Sequence, residues 1–237
     1  MVEKILLLIG VIALVGWFLL GTGEDEGPTW VVHADQSLII GGYGDNYAYT
    51  GDGVRPLKGS LDLLFNLPQG EGRLIVSLET TEESGSLQIS SSEELSGAFR
   101  LVSRIDRSNR VEEGIPIYGD TGSGGPELPR TLAILAGWSR FDLYVNDKIR
   151  YSNLSGEWAA AWALRRDDGA IRQSGLVYSP LLRNKTGFSD PEKIEFTLIL
   201  HSEVPDPEND PPYALALHLV FTQVTIEKGP TQERISE

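Results

Sequence analysis

The sequence predicts an all-β fold, an antiparallel β-sandwich or jelly-roll-like domain, preceded by one N-terminal transmembrane helix. Three observations carry that reading. From Trp30 onward, short apolar runs alternate with clusters of Gly, Pro, Asp, Asn and Ser, the pattern of a chain that turns back on itself repeatedly. Two of those runs keep a period of two: Ile194, Phe196, Leu198 and Leu200 share one face, and Leu215, Leu217, Leu219 and Phe221 share another. Ahead of them, Ile5 to Leu20 is apolar and free of charge.

Taken in order, positions 1–23 read as a transmembrane signal anchor, with a cleaved signal peptide as the alternative. At about 1.5 Å per residue, the run with its trailing Gly21-Thr22-Gly23 reaches roughly 24–28 Å, just under the hydrocarbon thickness. Glu3 offsets Lys4, and Gly21-Thr22-Gly23 is the only nearby small-x-small cleavage site, so retention is favoured. Trp17 suits the outer interface, and Lys4 with the terminal amine stays on the cytoplasmic side. The expected location is therefore a single-pass membrane protein whose C-terminal domain is extracytoplasmic. The lipid bilayer is its partner through Ile5 to Leu20.

Residues 24–29 form an acidic linker, 30–228 the β-domain and 229–237 a polar tail. Strands are expected at 30–40, 57–66, 73–80, 86–90, 98–105, 131–136, 140–145, 148–152, 158–165, 171–178, 194–201 and 214–227. Asn146-Asp147 suits a two-residue hairpin turn, and Gly169 can take the positive φ that ends the turn at 166–169. The stretch GEWAAAWALRR fits a helix face through Trp158 and Trp162 as well as a strand. The turn that follows favours the strand. Residues 107–129 read as a protruding polar loop.

Composition narrows function by exclusion. Hydrophobic residues at 41% and charged residues at 23% of 237 are ordinary for a globular chain. A formal charge of −14 has the wrong sign for phosphate neutralisation, so no nucleic-acid partner is expected. The lack of cysteine removes disulfides, thiolate metal sites and Cys nucleophiles together. No G-x-S-x-G, H-E-x-x-H or phosphate-loop motif occurs, so no catalytic residue is assigned and no enzyme is expected.

No cofactor and no metal are expected either. His33, His201 and His218 are few and far apart in sequence. The weaker alternative is calcium on Asp45, Asp52, Asp206 and Asp210, which follow no EF-hand spacing. Aromatic residues in turn-rich segments remain: Tyr43, Tyr47 and Tyr49 in GGYGDNYAYTGDG, and Trp138 near a hairpin. These are the interface or ligand-binding candidates, because such rings bring apolar area and a polar tip at low entropic cost. The expected function is a non-catalytic accessory or interaction subunit of a membrane or surface assembly, which works by protein binding. The alternatives are a carbohydrate- or ligand-binding module and a surface-filament subunit assembled by strand exchange.

Overall fold

The computed structural model describes residues 29–44, 54–119, 128, 130–169, 189–209 and 212–229. The run from Ile5 to Leu20 and the expected transmembrane helix lie outside them. Among the described residues the chain is all β, and no helix is long and apolar enough to cross a membrane.

The strands are β1 (Thr29–Gly42), β2 (Arg55–Asn66), β3 (Glu71–Glu79), β4 (Leu87–Ser90), β5 (Glu93–Leu95), β6 (Ala98–Ile105), β7 (Val111–Tyr118), β8 (Arg130–Val145), β9 (Lys148–Ala163), β10 (Asp190–His201) and β11 (Ala216–Lys228). Neighbours pair in the order β6-β3-β2-β1-β11-β10-β9-β8-β7, and β6 also pairs with β8. That last pairing, Phe99 opposite Val145 through Ser103 opposite Phe141, closes eight strands into an antiparallel barrel. The expected sandwich is thus corrected to a closed barrel, which leaves no unpaired edge around its circumference where β6 meets β8.

The correction has a local cause in β8 and β9, each 16 residues long. Breaks were expected near Gly137 and near Gly156, yet both strands run through them. A Cβ on Gly137 would lie 2.4 Å from Trp158 Cζ2, and one on Gly156 would lie 2.2 Å from Phe141 Cε2. Each glycine admits an aromatic ring from the facing strand and lets a long strand bend around the core. Register shifts at three points of the β8–β9 pair, and at two points along β1, add the curvature that closure requires. The expected loop at 107–129 is corrected in the same region: Val111–Tyr118 is β7, which extends the line of β6 along the same edge of β8.

The interior is packed with apolar side chains. Leu61, Leu74, Leu198, Leu219 and Phe221 are fully buried, and the Trp158 ring stacks on Phe196 at 5.9 Å and 9°. Phe221 meets Phe196 edge-on at 6.2 Å. The two period-two faces expected from sequence are inside. The ambiguous GEWAAAWALRR segment is strand, with Trp158 and Ala160 in the core.

The barrel has two dissimilar ends. At the proximal end Trp30 of β1 pairs with Lys228 of β11, so both termini of the sheet lie there. Glu113 of β7 accepts hydrogen bonds from Trp30 Nε1 and from Lys228 Nζ, the latter at 3.2 Å. The Lys228 ammonium also stands 4.7 Å from the centre of the Trp30 ring. At the distal end the β4–β5 hairpin forms a plug that sends Leu87, Ile89 and Leu95 into the core. Its Ser90 bridges to Leu215.

Candidate interaction surface

The distal end gathers the connections that follow β1, β3, β8 and β10. Tyr43, just past β1, is half-buried, and its hydroxyl donates to Asp206 Oδ2 at 2.6 Å. Its backbone N–H donates to Gln88 of the plug hairpin at 2.8 Å, and Gly44 N–H donates to Asn209 Oδ1 at 2.9 Å. The hydrogen bond to Asp206 raises the Tyr43 pKa above 10.0, and desolvation adds to it. Asp206 in turn folds its own loop, since its Oδ1 accepts from Glu208 N–H at 3.2 Å. Structure therefore joins Tyr43 and Asp206, assigned above to different roles, in one contact. Tyr47, Tyr49, Asp45, Asp52 and Asp210 lie outside the described residues.

The plug is tied down nearby. Glu93 of β5 accepts from Arg150 Nε and from the Tyr151 hydroxyl, both on β9. The Arg150 hydrogen bond lowers the Glu93 pKa below 4.5 against the opposing effect of burial, and Tyr151 adds to the lowering.

Trp138 sits elsewhere, half-buried on the outer face of β8. Its backbone N–H donates to Arg110 O at 3.0 Å, and the Arg110 guanidinium stands 5.2 Å from the centre of the ring. Trp138 is thus not part of the distal cluster.

The histidines are not brought together as ligands. His33 Nδ1 lies 2.7 Å from Asp62 and its Nε2 2.9 Å from Asp35. His201 stacks on Tyr213 at 3.9 Å, and its Nδ1 is 2.9 Å from Ser202 O. His218 is buried opposite Ile199, on the outer side of β11. Among the described residues no group of three His, Cys, Asp or Glu side chains is placed to hold a metal ion.

A second feature had no signal in the sequence. On the outer wall near the distal rim, β2, β3, β6 and the β8–β9 turn enclose a cleft of about 460 Å³. Its lining includes Gly59, Ser77 and Ala98 between the longer side chains Lys58, Arg100 and Tyr144. Gly59 is required there: its φ is +140°, and a Cβ would lie 1.9 Å from Ser77 O. The Arg100 guanidinium stands 5.1 Å from the centre of the Tyr144 ring. Asn146 and Asp147, with φ of 50° and 59°, form the tight turn expected from their identities and complete one wall. Lys58, Arg100 and Tyr144 are far apart in sequence: the β2–β3–β6 pairings place the first two on one surface, and barrel closure through β6 and β8 adds Tyr144.

Compared with protein-family models, curated proteins and solved structures, the chain matches none.

Proposed function

We propose that the protein is a non-catalytic, membrane-anchored, extracytoplasmic β-domain that serves as an accessory or interaction subunit of a membrane or surface assembly. One observation supports this most directly. The sheet begins and ends at the proximal barrel end, while the Tyr43–Asp206 contact, the plug hairpin and the cleft cluster at the other. A helix formed by Ile5 to Leu20 then holds the proximal end toward the bilayer and presents the distal end away from it.

The barrel walls fit an aqueous setting. Membrane barrels carry an apolar outer band and a polar lumen. Here the lumen is apolar and exposed Arg73 and Arg104 stand on the outside, so attachment to lipid falls to the N-terminal run.

The test is extraction of the intact chain with a mild detergent after a carbonate wash. The expected result is retention in the membrane fraction through the wash, followed by co-purification of a stoichiometric partner. Joint replacement of Tyr43, Tyr47 and Tyr49 by Ser should weaken that association and leave the barrel folded. Soluble protein whose N-terminus starts at Glu24 sinks the anchor, and a lone monodisperse chain after extraction sinks the subunit reading.

A further inference from the structure

The distal cleft carries an unanswered electrostatic demand. Arg100 lines it, and its Nε–H is shielded from solvent with no hydrogen-bond acceptor. The Arg100 side chain as a whole is 43% exposed, so its charge is open to the cleft and to water, while a shielded donor atom in a folded protein usually has a partner. The nearest carboxylate, Asp147, stands 3.7 Å from the Arg100 Nη2 and is 94% exposed. An exposed pair of that kind contributes little and is readily exchanged. Among the described residues the Lys58 side chain makes no ion pair and no hydrogen bond, although Glu79 lies directly across the β2–β3 pair from it.

Register fixes the spacing of these cations. Lys58, Glu79 and Ala98 form one row across β2, β3 and β6, and Ser77, Arg100 and Tyr144 form another two residues along. With strands about 4.8 Å apart and about 3.4 Å per residue, the Lys58 and Arg100 Cα positions are roughly 12 Å apart. Both side chains are long enough to converge on a single anionic group above Ala98 and Ser77, whose short side chains leave that space open.

The acids on the rim decide what kind of anion. Glu79 and Asp147 flank the same cleft, so a polymer with a charge on every unit, such as a uronate polysaccharide, meets repulsion at both. A peptide segment presents one carboxylate together with N–H donors. Those donors match Glu79, Asp147 and the Asn146 amide, while Tyr144 offers a flat apolar face.

We propose that this cleft docks a peptide segment of a partner protein, with one carboxylate of the peptide held between Arg100 and Lys58. The proposal rests on the reading of the protein as an interaction subunit, and it names the chemistry of the contact. Failure of peptide binding with a membrane partner still co-purifying would leave that reading standing. Binding without any co-purifying partner would leave the cleft standing alone.

The experiment is ligand-observed saturation-transfer NMR on the full chain in detergent micelles. Three probes are titrated: N-acetyl-Gly-Gly, its C-terminal amide, and the methyl glycoside of glucuronic acid. The free-carboxylate peptide should bind about tenfold or more tightly than the amide, as expected where a charge-assisted contact is lost. Arg100→Met should remove that preference. Should that variant lose its β-sheet circular dichroism, Lys58→Met, at a solvent-facing position, provides the same reading. The proposal is overturned by equal binding of peptide and amide, by tighter binding of the glucuronide, by no binding up to about 10 mM, or by folded variants that keep the wild-type preference.

Discussion

Among single residues, Leu198 and His33 show two different ways in which side chains hold this barrel together. Leu198 of β10 is fully buried, and its cross-strand neighbours are Leu219 of β11 and Trp158 of β9. Leu198→Ala should lower stability by about 2–5 kcal/mol, from lost transfer energy and the cavity left behind. A denaturant midpoint equal to wild type would show that this face is not inside. His33 acts through charge. Burial alone lowers its pKa, but the hydrogen bond and charge of Asp62, with those of Asp35, outweigh burial and leave it above 6.5. A raised folded pKa means that the contribution is complete below the unfolded value and fades as pH climbs through the folded one. Wild type should therefore lose stability relative to His33→Gln as pH climbs from 6.5 through the raised folded value, and the melting temperature of the variant should lack that component. The Arg73–Arg104 pair adds a case in the opposite sense. These exposed arginines face each other directly across β3 and β6, with no ion pair among the described residues. Arg104→Glu should stabilise the barrel by about 0.2–1 kcal/mol, because like charges at opposed positions repel.

Legibility in the sequence follows the same physics at the scale of the element. The faces of β10 and β11 could be read because period-two alternation is a local property of residues such as Phe196 and Leu219. The Asn146-Asp147 turn was legible because few residue types tolerate two successive positive φ values. Gly137 and Gly156 misled, since glycine in a strand signals a break and a bend alike, and only the facing Trp158 and Phe141 rings decide between them. β7 was hidden by Gly114, Pro116 and adjacent glutamates, residues that read as loop but suit a strand paired on one side. Of the site, Tyr43 and Asp206 were singled out separately, whereas the cleft depends on cross-strand register, which no local pattern encodes. The plug hairpin gives this scale its own prediction. Glu93 has a depressed pKa, so its contribution is present above about pH 4.5 and is lost as pH falls through that value toward the folded one. Acid should loosen the β4–β5 hairpin before the barrel, as faster amide exchange at 87–95 than at 196–200. Exchange rising together in both segments would show that the plug has no separate link to β9.

For the whole molecule, the decisive property is polarity along the barrel axis. A strand such as β2, 12 residues long, tilted about 40° at about 3.3 Å per residue, spans roughly 30 Å from one end to the other. Residues 21–28, between the apolar run and β1, extend at most about 29 Å even when fully stretched. If Ile5 to Leu20 spans the bilayer, the connection attaches at the proximal end, so an upright barrel holds that end nearer the headgroups than the distal end. The absence of cysteine makes this directly measurable, because any introduced thiol is the sole labelling site. Glu71, at the proximal start of β3, and Lys148, at the distal start of β9, are both exposed, and among the described residues their side chains make no hydrogen bond or ion pair. A fluorophore on Glu71→Cys, in vesicles containing a brominated lipid, should be quenched more strongly than one on Lys148→Cys. Both should be equally accessible to a water-soluble quencher after the protein is transferred to detergent. Equal quenching by lipid at the two sites would mean that the barrel lies on its side, and stronger quenching at Lys148→Cys would place the cleft against the membrane, where a partner's peptide could not approach it from the aqueous side.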